Sequence, residues 1–211
     1  MTARRALHFN PPSHRRDRVV VNQRFPNHGK ILLSIARSSI LAGLGEDCPV
    51  IEDDDWLREH GACFVTLTRN ERLRGCIGTL EAYRSLLADV KANALAAAFH
   101  DPRFPPLVKT ELKQVEIEVS LLSAMQDMVF VNEQDALAQL RPFVDGIVFQ
   151  HGRFRSTFLP QVWEQLPDPA EFMAHLKHKA GLYPDFWDKG VKLSRYTVSK
   201  WKERDLELNH D

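Results

Sequence analysis

The residues with the most chemical potential stand together in the run R-G-C-I-G at 74–78. Read as a strand with a period of two, it places Leu73, Gly75 and Ile77 on one face and Arg74, Cys76 and Gly78 on the other. A guanidinium beside a thiol favours the thiolate, so Cys76 reads as a candidate nucleophile or thiol ligand, and Arg74 as the holder of an anionic group. Glycine weakens a strand interior, so Gly75 and Gly78 point to a bulge, a bend or the close approach of another molecule. The competing reading is packing, with Cys76 a small buried hydrophobe and the glycines admitting a helix.

A cysteine nucleophile needs a base. Of the two candidates, His100 and His151, the first is the better placed, because it precedes D-P-R-F at 101–104, at the end of the helix that follows the R-G-C-I-G strand. Arg103 adds a second positive charge there. Arg155, in the later run F-R-S-T-F, occupies the place of Arg74 in a second hairpin and is expected to face the same cavity. The candidate site therefore comprises Cys76 and His100 as catalytic groups, with Arg74, Gly75, Gly78, Arg103 and Arg155 on a small anionic substrate. Neither metal nor cofactor is expected. His175 and His178 stand at helical spacing after Glu171, but no thiolate or further histidine is near enough in sequence to complete a four-coordinate shell, and Asp53 to Asp55 read as hydrated surface. The sequence also lacks G-x-G-x-x-G, a P-loop, H-E-x-x-H and G-x-S-x-G, which argues against the common enzyme classes.

The elements that must position these residues follow from periodicity. Ile31, Leu32, Ile35, Ser39 and Ala42 predict a helix over 29–43, closed by Gly43 and Gly45. Residues 62–68 and 73–80 predict a hairpin around the turn 69–72. Ser85 is the expected cap of a helix carrying Leu87, Val90, Ala94 and Ala97, which must stop near Asp101-Pro102. Alternation from Val115 to Leu121 predicts a strand with one wet face. Asn132 opens a short helix ending near Leu140. A second hairpin follows at 146–159, turning at His151-Gly152, and a helix runs from Pro169 to Ala180. The two hairpin-plus-helix units have the same order, and Arg74 to Pro102 spans 28 residues where Arg155 to Pro184 spans 29. Duplication over about 60–123 and 145–200 is the economical explanation, and convergence of two ordinary hairpins the alternative.

Bulk properties set the outer bounds. At 211 residues the chain can bury a core without staples, and 28 basic side chains balance 28 acidic ones, so no overall field favours nucleic acid or a membrane surface. Residues 1–30 hold seven basic side chains against Asp17 alone, so 1–27 reads as a basic extension, 28–203 as the folded domain and 204–211 as a tail. Three cysteines without a C-x-x-C, and no apolar run of 18, predict a reduced, cytoplasmic protein with no membrane span.

Several of these runs carry a resemblance. Phe64 to Leu67, L-R-G-C-I-G-T-L at 73–80, D-P-R-F-P-P-L at 101–107, E-I-E-V-S-L-L-S at 116–123, Gly152, L-P-Q-V at 159–162 and K-A-G-L at 179–182 closely resemble the AMMECR domain family. Its bacterial members are called AmmeMemoRadiSam system protein A. The resemblance covers about 28–203, and departs from the family pattern at Ala124-Met125-Gln126 and in the basic N-terminus. It implies an α+β fold of duplicated β-hairpin plus helix units forming one barrel-like, mainly antiparallel sheet with helices outside. It further implies a shared pathway or complex with a Memo-like protein and a radical-SAM enzyme, without implying a reaction. Two functions follow: a reactive-site protein acting through Cys76 on an anionic molecule, or a non-catalytic binding or scaffold module for those partners.

Overall fold

A computed structural model of the chain describes residues 27–46, 48–50 and 52–207. The basic extension, Asn27 apart, lies outside the described residues. Helix α1 (His28–Gly43) buries Leu32, Ile35, Ala36 and Ile40, the stripe that its periodicity requires. Strands β1 (Cys63–Arg69) and β2 (Arg72–Gly78) form the first hairpin, turning on Asn70 and Glu71, whose φ values of 50° and 62° are those of a two-residue turn. Helix α2 (Leu86–Phe99) starts where the Ser85 side chain accepts the Ala88 N–H. Strand β3 (Val115–Leu122) follows, then the short β4 (Gln126–Asp127) and α3 (Glu133–Ala138), capped by Asn132. The second hairpin is β5 (Gly146–His151) and β6 (Phe154–Phe158), followed by α4 (Pro169–Lys179). Two strands absent from the periodicity reading, β7 (Lys192–Tyr196) and β8 (Val198–Lys202), precede α5 (Glu203–Glu207). The expected tail at 204–211 thus begins as helix, anchored by Glu203, which pairs with Arg37 of α1 and accepts the Ile117 N–H at 2.8 Å.

The α+β class holds, but two open sheets stand in place of one barrel-like sheet. They run β2-β1-β3-β8 and β4-β7-β5-β6, antiparallel throughout. The division falls where the chain passes twice between sheets, from β3 to β4 and from β7 to β8. There Ser123 N–H donates to Thr197 O at 2.9 Å, while Thr197 N–H donates to the Ser123 hydroxyl at 3.0 Å. A hydroxyl thereby replaces a carbonyl in the ladder, and the two sheets diverge. Ala62, Leu122, Val148 and Tyr196 fill the junction between them. Within each sheet the order of pairing recurs: β2-β1-β3 with α2 between β2 and β3, and β6-β5-β7 with α4 between β6 and β7.

Helices α1 and α2 cover one face of the first sheet, burying Val65 and Leu67 of β1 and Ile117 and Val119 of β3. α2 is held at several points. The fully buried Asp89 accepts from Cys63 N–H at 2.8 Å, the Thr79 hydroxyl at 2.7 Å, Arg84 Nε at 2.8 Å and Asn93 Nδ2 at 3.0 Å, so its burial is compensated by four donors. One turn before its end the helix lies directly on β2. A Cβ added to Gly75 would sit 2.1 Å from the carbonyl oxygen of Ala97.

That contact is backbone against Cβ and has no flexible end to yield. Gly75→Ala is therefore expected to destabilise the fold by about 1–3 kcal/mol, the usual range for overpacking. A urea titration checks it, and an unchanged midpoint would show that α2 does not rest on β2 as described.

Candidate functional site

Arg74 and Cys76 do not lie side by side. The register pairs Leu67 with Gly75 but Thr68 with Leu73, so Arg74 is the extra residue of a β-bulge. The bulge breaks the period of two and moves Leu73 to the face of Thr68 and Cys76. Arg74 turns instead to the 3₁₀ turn Lys109–Gln114, where its Nη2 donates to Glu111 Oε2 at 2.9 Å and its Nε to Oε1 at 3.3 Å. Its guanidinium carbon stands 6.0 Å from the centre of the Phe104 ring. Arg69 shares the same carboxylate at 2.8 Å, and these cations hold Glu111 below its ordinary pKa, with Arg74 the larger cause.

Cys76 sits in a different group. Its Sγ accepts from the Thr66 hydroxyl at 3.2 Å, and register places Cys76, Thr66, Glu118 and Lys202 in one row across the face of the sheet away from the helices. Its backbone is read by the D-P-R-F loop. Cys76 N–H donates to Asp101 Oδ2 at 2.9 Å, Arg103 Nη2 donates to Cys76 O at 3.1 Å, and Arg103 also grips Asp101 through Nη2 at 2.6 Å and Nε at 2.9 Å. A carboxylate–guanidinium pair thus takes the place of a neighbouring strand on the edge of β2. Burial is the largest influence on the thiol and pushes its pKa up. Thr66 and Arg103 act in the other direction, Asp101 and Glu118 with the burial. The expected activation by Arg74 is absent among these leading causes, because the bulge has carried that guanidinium away.

The remaining predicted residues scatter. His100 is exposed, and its backbone N–H closes α2 on Ala96 O at 2.9 Å, with no ring contact to Cys76. Arg155 pairs with Glu81, not with anything that Arg74 touches, so the two arginines share no cavity. Gly75 faces the Ala97 carbonyl, and the space beside Gly78 is filled by the Phe64 ring. Both glycines therefore admit parts of this chain. The three cysteines are free, Cys48 exposed and Cys63 buried, and burial raises the Cys63 thiol far above its usual range. Among the described residues no three His, Cys, Asp or Glu side chains are grouped to hold a metal ion, and no helix is long and apolar enough to cross a membrane. Glu111, Asp101 as a strand-edge group, Thr66 and Glu118 are the site members that periodicity did not single out. The signal was available for one of them, since a buried arginine in a neutral chain requires a carboxylate partner.

The sequence pattern of the AMMECR1 family matches residues 33–201. A protein of Methanothermobacter thermautotrophicus is 35% identical over 182 residues, covering 84% of this chain and 95% of its own length. A protein of Sulfurisphaera tokodaii is 38% identical over 191 residues, covering 84% of this chain and 83% of its own. The crystal structure of an uncharacterized protein from Pyrococcus horikoshii superposes with a TM-score of 0.68 at 30% identity, covering 83% of this chain and 91% of that one.

Two measurements follow from the geometry. Iodoacetamide at pH 8 is expected to label Cys48 first, Cys76 several-fold more slowly and Cys63 last, with Arg74→Ala leaving the Cys76 rate within twofold; a Cys76 faster than Cys48 would contradict the burial account. Asp101, with Arg103 as the main cause, has its pKa lowered from 3.8 to about 2. A depressed carboxylate stabilises the fold above its unfolded pKa and ceases to do so as pH falls through the folded one. Asp101→Asn should therefore cost about 1–2 kcal/mol at pH 7, with the difference from wild type closing between pH 4 and pH 2. Parallel stability curves across that window would show that the ion pair is not the cause.

Proposed function

The chain belongs to the AMMECR1 family, and from that premise we propose that it is a non-catalytic binding module. It receives a small anionic molecule near Arg74 and docks with a Memo-like protein and a radical-SAM enzyme in the cytoplasm. One observation supports this reading over the nucleophile: Cys76 is partly buried with its thiol bonded to Thr66, burial pushes its pKa up, and among the described residues no imidazole contacts it to take the proton. The charged groups of the motif are engaged with one another, Arg74 with Glu111 and Asp101 with Arg103, which suits a shaped surface more than a reacting centre. Three free cysteines fit a reducing compartment. The recurrent order of hairpin, helix and returning strand in both sheets supports an origin by duplication.

The test separates docking from chemistry. Cys76→Ser is expected to bind the Memo-like and radical-SAM proteins, measured by biolayer interferometry, within twofold of wild type, and no covalent adduct should appear at Cys76 by mass spectrometry when the three are mixed with their substrates. Loss of docking in Cys76→Ser, or a turnover-dependent adduct on the thiol, would reverse the reading in favour of a reactive cysteine.

A further inference from the structure

Beside the β1–β2 turn, away from Cys76, lies a groove of ≈ 520 Å³ lined by Arg69, Asn70, Arg72, Leu73 and Arg74. The three arginines come together because the turn reverses the chain within two residues while the bulge brings Arg74 toward the same end of the hairpin. Their hydrogen bonds are unequal. Arg69 is held by Gln114 and Glu111, both at 2.8 Å. Arg72 is exposed, and its guanidinium has no partner among the described residues. Arg74 has a side chain only 9% exposed, yet its Nη1, itself buried, has no hydrogen-bond partner among the described residues. A buried guanidinium N–H without an acceptor loses its hydration for nothing in return, and native structures rarely tolerate this without a reason.

Charge points the same way. Around the turn stand Arg69, Arg72, Arg74 and Arg204 against Glu71 and Glu116, which face Arg204 at 4.0 Å and 3.1 Å, and Glu111. One positive charge is left over, and Arg72 is the arginine without a carboxylate, so the groove favours an anion. The free fork of Arg72 and the Arg69 Nη2 that Gln114 and Glu111 leave over offer donors from two directions, which suits a tetrahedral phosphoryl group better than a planar carboxylate, which a single fork would satisfy. Leu73 adds an apolar wall for the body that carries it. The acidic neighbours and the local extent of the groove fit a small molecule rather than a nucleic-acid strand.

We propose that the groove formed by Arg69, Arg72 and Arg74 at the β1–β2 turn binds the phosphoryl group of a small phosphate monoester. The inference deepens the binding-module reading and rests on it: it names the ligand class and moves its site from Cys76 to the opposite side of Arg74.

The experiment titrates the full chain with inorganic phosphate and phenyl phosphate by ³¹P NMR at two ionic strengths, with malonate and a single-stranded oligonucleotide as comparison ligands. Saturable phosphate binding is expected, at least fivefold weaker in Arg72→Ala and unchanged within twofold in Arg153→Ala, an exposed arginine at the other hairpin turn. Arg74→Lys, checked for folding by circular dichroism, should weaken binding at least tenfold; if it does not fold, Arg72→Ala alone decides. No saturable binding, equal effects of Arg72→Ala and Arg153→Ala, malonate binding as tightly as phosphate, or an oligonucleotide binding more tightly than phenyl phosphate would each overturn the proposal. Phosphate failing to bind while Cys76 remains unreactive removes the groove alone. A reactive Cys76 with phosphate bound removes the non-catalytic reading alone.

Discussion

The structure depends on how closely α2 can lie on the first sheet. Gly75 offers no Cβ, and Ala94, Ala97 and Ala98 present small side chains, so helix and strand meet backbone to backbone at that point. Everything downstream inherits that distance. Asp89, near the helix start, reaches the Cys63 N–H, and Asp101, just past its end, reaches the Cys76 N–H. The same helix thus fastens the amide of one strand with its first turn and that of the next strand with the loop it leads into. A helix held an extra side chain away would leave both buried carboxylates short of their donors, and an unpaired buried charge is among the costliest defects a core can carry.

This arrangement explains why the most chemically suggestive run in the chain is largely architectural. R-G-C-I-G supplies a bulge, a helix seat, a capped strand edge and a place for the Phe64 ring. Its thiol faces a partly covered polar row in which Thr66 is the donor and Glu118 the opposing charge. Within this run, the group that the architecture leaves unpartnered among the described residues is Arg74 Nη1.

Much of this was legible before any coordinates. The caps Ser85 and Asn132 act as their residue types require, and the glycine pair did announce a bulge. Side-chain alternation gave β3 and both hairpins because each has one apolar face. The failures have one cause, dependence on partners distant in sequence. Counting by twos across 73–78 cannot survive an inserted residue, so Arg74 was assigned to the wrong neighbour. Glu111 sits 37 residues from Arg74 in a turn without periodicity. Strands β7 and β8 mix lysine, arginine and serine with their apolar residues and reveal themselves only through the β5 and β3 ladders that accept them.

The crossing at Thr197 has a consequence for biosynthesis. The first sheet is finished by β8, so Leu122 must wait for Val198 before its edge is paired, and Arg37 must wait for Glu203. During translation the early hairpin and its helices therefore emerge with an open β3 edge, and they keep it until the last strand has left the ribosome. The nascent chain is exposed for longest at its most pairing-competent surface, where the alternating glutamates Glu116 and Glu118 of β3 supply the charge that discourages intermolecular strand addition in the interval.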